Sequence, residues 1–279
     1  MKITKAVITM AGKNQRHLPM QTLVDRDGTA KSVLQIMLAE AINAGIDDIG
    51  LVIQPGDEAS FAAIAGEMAG TLTYIPQAEP LGYGHALFCA ADFIGSDSFL
   101  HLVGDHLFIG RDGESCAIDL IAVAERERCT VSAVKATRES MLPYFGAIGG
   151  RRIAGSQDLF QVEKVLEKPT PTVAEQELIV PGLRAGHYLC FFGMHVLTAT
   201  VIEILDDLLH NDSSPGKPHL SAALSLLAQR EQVLALEKAD SRYDLGGKYG
   251  LFMAQLALGL NGQDRDEMLS SLVEMLASR

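Results

Sequence analysis

The sequence predicts an α/β fold in which a mostly parallel, mixed sheet is flanked by helices. Short apolar runs that are typical of buried strands alternate with longer segments that are rich in helix formers. In the first part of the chain, strands are predicted at residues 6–8, 49–53 and 71–75, with helices at 31–44 and 57–68 between them. Because parallel strands need long crossover connections, this alternation is typical of a Rossmann-like sheet.

The first predicted helix rests on apolar side chains that recur three or four positions apart. These side chains are Val33, Leu34, Met37, Leu38 and Ala41. Gly45 follows directly, and a glycine at that position is typical of a helix C-terminus.

The rest of the chain continues the alternation. Apolar runs predict strands at residues 98–103, 130–135, 161–167, 188–196 and 234–236. Further helices are predicted at residues 86–91, 115–128, 198–209, 219–229, 248–260 and 264–277. Two polar, proline-bearing segments are predicted to lack regular structure: residues 170–177 as a linker and residues 210–218 as a loop.

The composition indicates one large domain spanning residues 1–279, with 48% hydrophobic residues to form its core. A formal net charge of −12 argues against nonspecific binding to nucleic acid or to an anionic membrane. We expect no signal peptide and no membrane span, since no apolar run approaches the roughly 18–20 residues that a span needs.

The cysteines show no spacing that is typical of a metal site or of a secreted disulfide framework. They are Cys89, Cys116, Cys129 and Cys190. The eight histidines form no zinc-binding pattern either. We therefore expect reduced thiols and a cytoplasmic location.

The loop after the first strand is the first candidate for a ligand site. Ligands of open α/β sheets bind beyond the carboxyl ends of the strands. Gly12 lets the backbone approach a base or phosphate, and the guanidinium of Arg16 is suited to phosphate oxygens. An ordinary turn with a surface arginine has the same pattern, so this loop alone does not decide the function.

Two later segments point to the same edge of the sheet. Gly82 and Gly84 lie in a glycine-containing loop directly before a predicted helix, a position that favours anions and close backbone contact. Asp105 follows the strand at residues 98–103, where a carboxylate is well placed to hold Mg²⁺. A surface turn and a capping aspartate are the alternative interpretations of these two segments.

Five patches, in order along the chain, resemble the bacterial UTP–glucose-1-phosphate uridylyltransferases of the sugar-nucleotidyltransferase family. The patches are Ala11-Gly12-x-x-x-Arg16-x-Leu18-Pro19, Gln77-x-x-Pro80-Leu81-Gly82-x-Gly84-His85-Ala86, Gly104-Asp105, Glu167-Lys168-Pro169 and Arg242-Tyr243-Asp244-x-Gly246-x-Lys248-x-Gly250. The resemblance runs from about Lys5 to about Ala254, nearly the whole chain.

The resemblance implies a fold of the nucleotide-diphospho-sugar transferase type. It divides the domain into a nucleotide-binding half at about 1–110, a sugar-phosphate-binding half at about 111–250 and C-terminal helices at about 251–279. The implied reaction forms UDP-glucose, or a related sugar nucleotide, and pyrophosphate from UTP and a sugar 1-phosphate with Mg²⁺. The apolar stripe on the last predicted helix packs on the core or on a second subunit, and we expect a homo-oligomer, either a dimer or a tetramer.

The resemblance also implies roles for individual residues. The implied catalytic residues are Arg16 on the leaving pyrophosphate, Asp105 on the metal and Lys168 on the sugar phosphate. The implied nucleotide-binding residues are Ala11, Gly12, Gln77 and Gly82, and the implied sugar-binding residues are Gly146 and Glu167. The chemistry fits, because a glutamine amide matches the imide edge of uracil and a carboxylate accepts hydrogen bonds from vicinal hydroxyls.

Departures from the family pattern fall mainly in the implied triphosphate and base contacts. The usual Pro-Lys-Glu segment is missing from residues 20–31, and Lys31 aligns with a different family lysine. Asn14-Gln15 replaces a glycine-threonine pair, His106 a second aspartate and Gly247 another aspartate.

Arg26 and Lys13 are candidates to replace the missing lysine. Two alternatives therefore stay open: a catalytically weakened homologue that binds a sugar nucleotide and regulates a partner, or a transferase for another base or sugar.

Overall fold

The computed structural model describes residues 1–13, 16–110, 115–210, 219–238 and 241–278. The predicted loop at 210–218 and the Asn14-Gln15 pair therefore fall largely or wholly outside the described residues. Within the described ranges, no helix has the length and apolar character needed to cross a membrane.

Strands and helices alternate along much of the chain, but several strands follow one another with no α-helix between them, and some of these were not predicted. The strands are β1 (Lys5–Thr9), β2 (Thr22–Val24), β3 (Ala30–Ser32), β4 (Asp48–Ile53), β5 (Leu72–Pro76), β6 (Phe99–Val103), β7 (His106–Ile109), β8 (Thr130–Arg138), β9 (Gly146–Arg152), β10 (Leu159–Glu167), β11 (His187–Leu197), β12 (Val233–Glu237) and β13 (Ser241–Asp244). The helices are α1 (Val33–Asn43), α2 (Glu58–Ala65), α3 (Tyr83–Phe88), α4 (Ala91–Ile94), α5 (Cys116–Glu127), α6 (Pro171–Glu177), α7 (Thr200–His210), α8 (Leu220–Arg230), α9 (Gly250–Leu260) and α10 (Arg265–Ala277).

Nine of the described strands form one mixed sheet in the order β5-β4-β1-β6-β11-β8-β12-β10-β9. Seven of them point in the same direction, and β11 and β10 oppose them. This arrangement confirms the predicted α/β fold with a mostly parallel, mixed sheet. Two small antiparallel pairs, β2–β3 and β7–β13, lie beside the main sheet.

The core has one layer on each face of the sheet, because successive side chains of a strand point to opposite faces. In β1, Ala6 and Ile8 belong to the layer that contains helices α1, α2, α5 and α9. Val7 belongs to the layer that contains α3, α7 and α8. Buried apolar side chains on both sides explain why the strands read as continuous apolar runs.

The predicted linker at residues 170–177 is wrong, since this segment contains helix α6. The side chain of Thr170 accepts a hydrogen bond from the backbone N–H of Val173, and Pro171 occupies the first helical turn. Threonine before proline is a helix-start signal because the missing N–H of proline needs no partner there. The helix buries Ala174 and Leu178 in a small cluster beside the main core.

Contacts between the two ends of the chain hold the small strand pairs in place. Strand β13 pairs with β7, with Asp244 opposite His106. The side chain of Gln255 in α9 accepts a hydrogen bond from the N–H of Val24 at 2.8 Å and donates one to its carbonyl oxygen at 3.1 Å. The first and last parts of the chain therefore form one packed unit here.

A row of buried polar side chains crosses the centre of the sheet. Ser132, His195 and His101 lie directly opposite one another on β8, β11 and β6. The two imidazole rings stack with centroids 6.1 Å apart, and Nδ1 of His195 is 2.8 Å from Oγ of Ser132. Burial lowers the pKa of His101 to about 4 and that of His195 to about 3, so both rings are neutral in the folded protein.

This row makes the stability of the fold pH-dependent. Below pH 6.5 the unfolded chain protonates both histidines while the folded chain does not, so we expect the free energy of unfolding to fall as the pH decreases toward 4. Each histidine contributes a slope of at most about 1.4 kcal/mol per pH unit, which is approached near pH 5. Urea denaturation at pH 7, 6 and 5 measures the slope. In the variant His195→Asn, the slope should decrease by the contribution of one histidine. An unchanged slope would contradict the inference that buried His195 causes this pH dependence.

Candidate functional site

Two adjoining cavities open at the carboxyl edge of β1 and β6, where ligands bind in open α/β sheets. The first cavity, of about 260 Å³, is lined by Thr9, Met10, Ala11, Gly12, Lys13, Gln77, Pro80, Gly82, Tyr83, Ala86, Val103, Gly104 and Asp105. The second, of about 790 Å³, extends toward β9, β10, β11, β13 and α8. Both cavities share Tyr83, Val103 and Asp105, so these residues mark the boundary between the two.

Gln77 presents a hydrogen-bond acceptor to the first cavity. Its amide Nε2 donates to the carbonyl oxygen of Gly82 at 3.1 Å and to Nδ1 of His85 at 3.0 Å. Both amide hydrogens are then used within the loop, and the side-chain oxygen remains to accept a hydrogen bond. Gly82 adopts a φ of 111° before helix α3, a backbone conformation that favours glycine.

Gly104 brings the ends of β1 and β6 close together. A Cβ atom at this position would lie 2.5 Å from Cγ of Met10 and 2.6 Å from the carbonyl oxygen of Thr9. Only glycine avoids both contacts, since real Cβ atoms do not approach backbone that closely. The close approach places Asp105 directly at the boundary between the cavities.

Asp105 is held as a carboxylate at that boundary. It is 9% exposed, and Nδ1 of His106 donates a hydrogen bond to its Oδ1 at 2.6 Å. Burial by itself raises the pKa of Asp105, but the hydrogen bond and charge of His106, with the nearby Arg242, lower it below the ordinary value. Asp244 lines the second cavity beside it, and the N–H of Leu245 donates to the carbonyl oxygen of Asp105 at 2.9 Å.

The second cavity contains a carboxylate with a fixed orientation. Oγ of Ser221 in α8 donates a hydrogen bond to Oε2 of Glu167 at 2.5 Å. Gly146 faces this pair: a Cβ there would lie 2.6 Å from Oγ of Ser221 and 3.0 Å from Oε2 of Glu167. Glycine therefore leaves room for the carboxylate, whose other oxygen is Oε1.

Lys168 supplies a cation next to this carboxylate. Its φ of 45° lies in the left-handed region, which is uncommon for a residue with a side chain. The N–H of Lys168 donates to the carbonyl oxygen of Phe145 at 3.1 Å, and Nζ is 3.9 Å from Oε1 of Glu167. Backbone conformations of this kind persist where the surrounding structure imposes them, often at functional sites.

Arg16 does not line either cavity. Its Nη1 donates to Oε1 of Gln54 at 3.0 Å and lies 3.4 Å from Oδ2 of Asp57. Lys13, three residues earlier, does line the first cavity. Arg26 lines neither of these cavities but a separate one beside β7 and α9.

The structure thus places the other sequence-predicted site residues together. Ala11, Gly12, Gln77 and Gly82 line the first cavity, Gly146, Glu167 and Lys168 line the second, and Asp105 lines both. The sequence analysis assigned no role to several further residues of the second cavity, among them Tyr83, His195, Ser221, Arg242 and Asp244. Arg242 and Asp244 belong to the fifth of the sequence patches described above. The positions of Ser221 and His195 in the cavity depend on tertiary structure, which the sequence does not reveal.

Arg242 adds a second cation to the wall of the second cavity. Its guanidinium lies 4.0 Å from the ring centroid of Phe145, and Nη1 donates to the carbonyl oxygen of Phe191 at 2.8 Å. Burial lowers the pKa of Arg242, while Asp244 and Asp105 oppose that effect. The cavity therefore combines two cations, which suit a phosphate, with carboxylates, which accept hydrogen bonds from hydroxyls. Together these groups suit a phosphorylated polyol.

The boundary residues also fit a magnesium ion. Asp105 stays ionised at neutral pH, and Asp244 lines the same cavity. Among the described residues, no group of three or more histidine, cysteine or acidic side chains forms a metal cluster. Mg²⁺ commonly binds through one or two carboxylates with substrate phosphates completing its shell, so this small donor set is adequate.

Comparison with known families agrees with this geometry. Residues 16–259 match the family described as nucleotidyl transferase. The chain belongs to the nucleotidyl transferase family. The matched range includes every lining residue of the second cavity and those of the first cavity from Gln77 onward, whereas residues 9–13 of the first cavity precede it.

Two bacterial relatives match this chain along nearly their whole length. UTP–glucose-1-phosphate uridylyltransferase YngB of Bacillus subtilis is 28% identical, with 99% of this chain and 95% of the relative covered. The UTP–glucose-1-phosphate uridylyltransferase of Streptococcus pneumoniae is 25% identical, with 98% and 96% covered.

Solved structures of other nucleotidyl transferases share the fold. UDP-glucose pyrophosphorylase complexed with UDP-glucose has a TM-score of 0.73 at 21% identity, covering 91% of this chain and 98% of that one. UTP-bound UGPase from Acinetobacter baumannii has a TM-score of 0.75 at 23% identity, covering 97% and 98%. These likenesses confirm the nucleotidyl transferase fold expected from the sequence.

Proposed function

We propose that this nucleotidyl transferase forms UDP-glucose and pyrophosphate from UTP and glucose 1-phosphate. The carrying observation is that two adjoining cavities, one suited to a base and one to a sugar phosphate, share Asp105 at their boundary. The names of the two relatives, both UTP–glucose-1-phosphate uridylyltransferases, support the same pair of substrates.

The first cavity would hold the uridine. The free oxygen of Gln77 accepts a hydrogen bond from the imide N–H of uracil, while Gly82, Ala11 and Gly12 allow the backbone to approach the base. Cytosine has an acceptor in place of that N–H, so Gln77 in this orientation disfavours it.

The second cavity would hold the sugar phosphate. Oε1 of Glu167 accepts hydrogen bonds from glucose hydroxyls, and Ser221 fixes the carboxylate by occupying Oε2. Gly146 leaves its backbone open to the sugar, and Lys168 neutralises the phosphate. Arg242 adds positive charge along the same wall.

In the reaction, a phosphate oxygen of glucose 1-phosphate attacks the α-phosphorus of UTP. The bond from that phosphorus to the bridging oxygen breaks, and its electron pair leaves with pyrophosphate. Lys168 orients the attacking phosphate, while Lys13 and Arg16 offset charge on the leaving group. Arg16 must turn away from Asp57, which costs little, since partly exposed ion pairs are worth about 0–1 kcal/mol.

Asp105 would hold Mg²⁺, with Asp244 as the neighbouring carboxylate in the same cavity. When bound, the ion supplies charge neutralisation and alignment for the phosphates. The chain's own contribution is a carboxylate that stays ionised because His106 and Arg242 lower its pKa despite burial.

The proposal includes a homo-oligomer in the cytoplasm. Helix α10 has no buried residue, and several apolar side chains of α9 and α10 are exposed, which supports burial against a second copy. The four cysteines are free thiols, as is typical of a reducing compartment. Analytical ultracentrifugation distinguishes a monomer from a dimer or tetramer.

The proposed reaction is tested by pyrophosphate release from UTP, dTTP, CTP, ATP or GTP with glucose 1-phosphate and Mg²⁺. We expect release with UTP and little with CTP, because Gln77 presents an acceptor. Release with a purine nucleotide instead would contradict the base assignment. No release with any nucleotide, together with UDP-glucose binding, would contradict catalysis and favour the weakened homologue.

A further inference from the structure

Tyr83 lies at the boundary between the two cavities, where a buried histidine of the sheet anchors its hydroxyl. Tyr83 lines both cavities, and of the three residues that they share it is the one that comes from a helix, α3. Its hydroxyl is hydrogen bonded to Nε2 of His101 in β6, with the two ring centroids 5.5 Å apart.

The direction of each hydrogen bond in this anchor follows from the backbone. Nδ1 of His101 is 2.9 Å from the carbonyl oxygen of Val7, and a carbonyl oxygen can only accept. Nδ1 therefore carries the proton of the neutral ring, Nε2 is an acceptor, and the hydroxyl of Tyr83 donates. Burial near Asp105 and Glu167 also raises the pKa of Tyr83, so the hydroxyl keeps its proton.

His101 is itself fixed on its other side. The ring of His195 stacks on it with an interplanar angle of 15°, and His195 is hydrogen bonded to Ser132. The anchor thus continues through three neighbouring strands, from β6 through β11 to β8. A hydroxyl held by such a row leaves the ring of Tyr83 little freedom to rotate.

We propose that Tyr83 is a positioning residue for the transfer reaction, its ring forming a fixed partition that His101 holds between nucleotide and sugar phosphate. The inference rests on the proposed function and deepens it, since a partition at this place sets how the sugar phosphate meets the α-phosphorus. Alignment of reacting groups contributes strongly to the rate, and small displacements lower it. His101 acts through Tyr83 and touches neither substrate.

The test separates ligands that span both cavities from a ligand that occupies one. UDP-glucose extends across the partition, whereas UMP fills only the first cavity. Calorimetry measures both affinities for the variants Tyr83→Phe, Tyr83→Phe/His101→Val and His101→Gln. The double variant removes the hydroxyl together with the ring nitrogen that accepts from it, and glutamine retains an acceptor for the hydroxyl and a donor for Val7.

Loss of the hydrogen bond between Tyr83 and His101 should lower the affinity for UDP-glucose roughly tenfold, which corresponds to the free energy of one hydrogen bond. The affinity for UMP should change by no more than about twofold. The kcat should fall by a similar factor at unchanged KM for UTP, and His101→Gln should recover most of it. The matched control is Tyr74→Phe, which removes a buried hydroxyl outside both cavities that has no partner among the described residues. It should change neither affinity.

Equal weakening of UMP and UDP-glucose would overturn the inference, because a general loss of structure acts on both. Unchanged affinity for UDP-glucose in Tyr83→Phe and the double variant would overturn it too. Failure of the unsubstituted protein to release pyrophosphate would contradict only the proposed function. The role of Tyr83 as a partition would still be tested by the ratio of the affinities for UDP-glucose and UMP. Failure of that protein to bind UDP-glucose would overturn both.

Discussion

Replacing Asp105 with asparagine is expected to lower kcat by roughly 100- to 1000-fold, the usual cost of removing one preorganised charge at a reacting centre. Asparagine keeps an oxygen that accepts the hydrogen bond from His106, so the local packing survives. The negative charge at the boundary of the cavities is lost. Steady-state pyrophosphate release at saturating substrates measures the effect, and we expect thermal unfolding to shift by only a few degrees.

A matched control is Asp92→Asn, which removes an exposed carboxylate from α4 outside both cavities. Its kcat should equal that of the unsubstituted protein. Raising the Mg²⁺ concentration should partly restore Asp105→Asn if the carboxylate acts by holding the ion. Full activity of Asp105→Asn at ordinary Mg²⁺ would show that the boundary carboxylate is not part of the reaction.

Replacing Lys168 with methionine is expected to lower kcat/KM for glucose 1-phosphate by roughly 100-fold, because the phosphate loses its neutralising ammonium. Methionine preserves most of the aliphatic stem, so the change isolates the charge. The KM for UTP should stay within about threefold, since Lys168 lines only the second cavity. Initial rates with each substrate varied in turn separate the two parameters.

Lys164→Met provides the control for this charge change. Lys164 lies in β10, the strand that ends directly before Lys168, but it pairs with Glu177 and does not line either cavity. Its kinetic parameters should match those of the unsubstituted protein. If Lys168→Met instead raised KM for both substrates equally, the assignment of this lysine to the sugar phosphate would be wrong.

The parts of the fold that the sequence predicted well are those with local signals. Helix α1 has its apolar stripe, and Ser32 and Gln35 form a capping box at its start. Helix α6 also has a local signal, Thr170 before Pro171, but its polar, proline-bearing composition is typical of a linker as well. The strand β13 had no such signal, because its partner β7 lies more than 130 residues earlier.

The candidate site divides in the same way. Gln77, Gly82 and Asp105 follow predicted strands or precede a predicted helix, so their place at the carboxyl edge could be anticipated. The row through His101 and His195 depends on strand order, which the sequence does not reveal. The predicted roles of Arg16 and of the remaining site residues stay predictions until the variants are measured.

The hydrogen bonds between Val24 and Gln255 have a consequence for biosynthesis. The two residues are 231 positions apart, so the hairpin β2–β3 gains its docking partner only after those intervening residues have been made. The pairing of β7 with β13 imposes the same order. Since ribosomes add about 5–20 residues per second, β2 and β7 remain without these partners for many seconds after they have been synthesised. Completion of this fold therefore waits until β13 and α9 have been synthesised, when β2 and β7 receive these contacts.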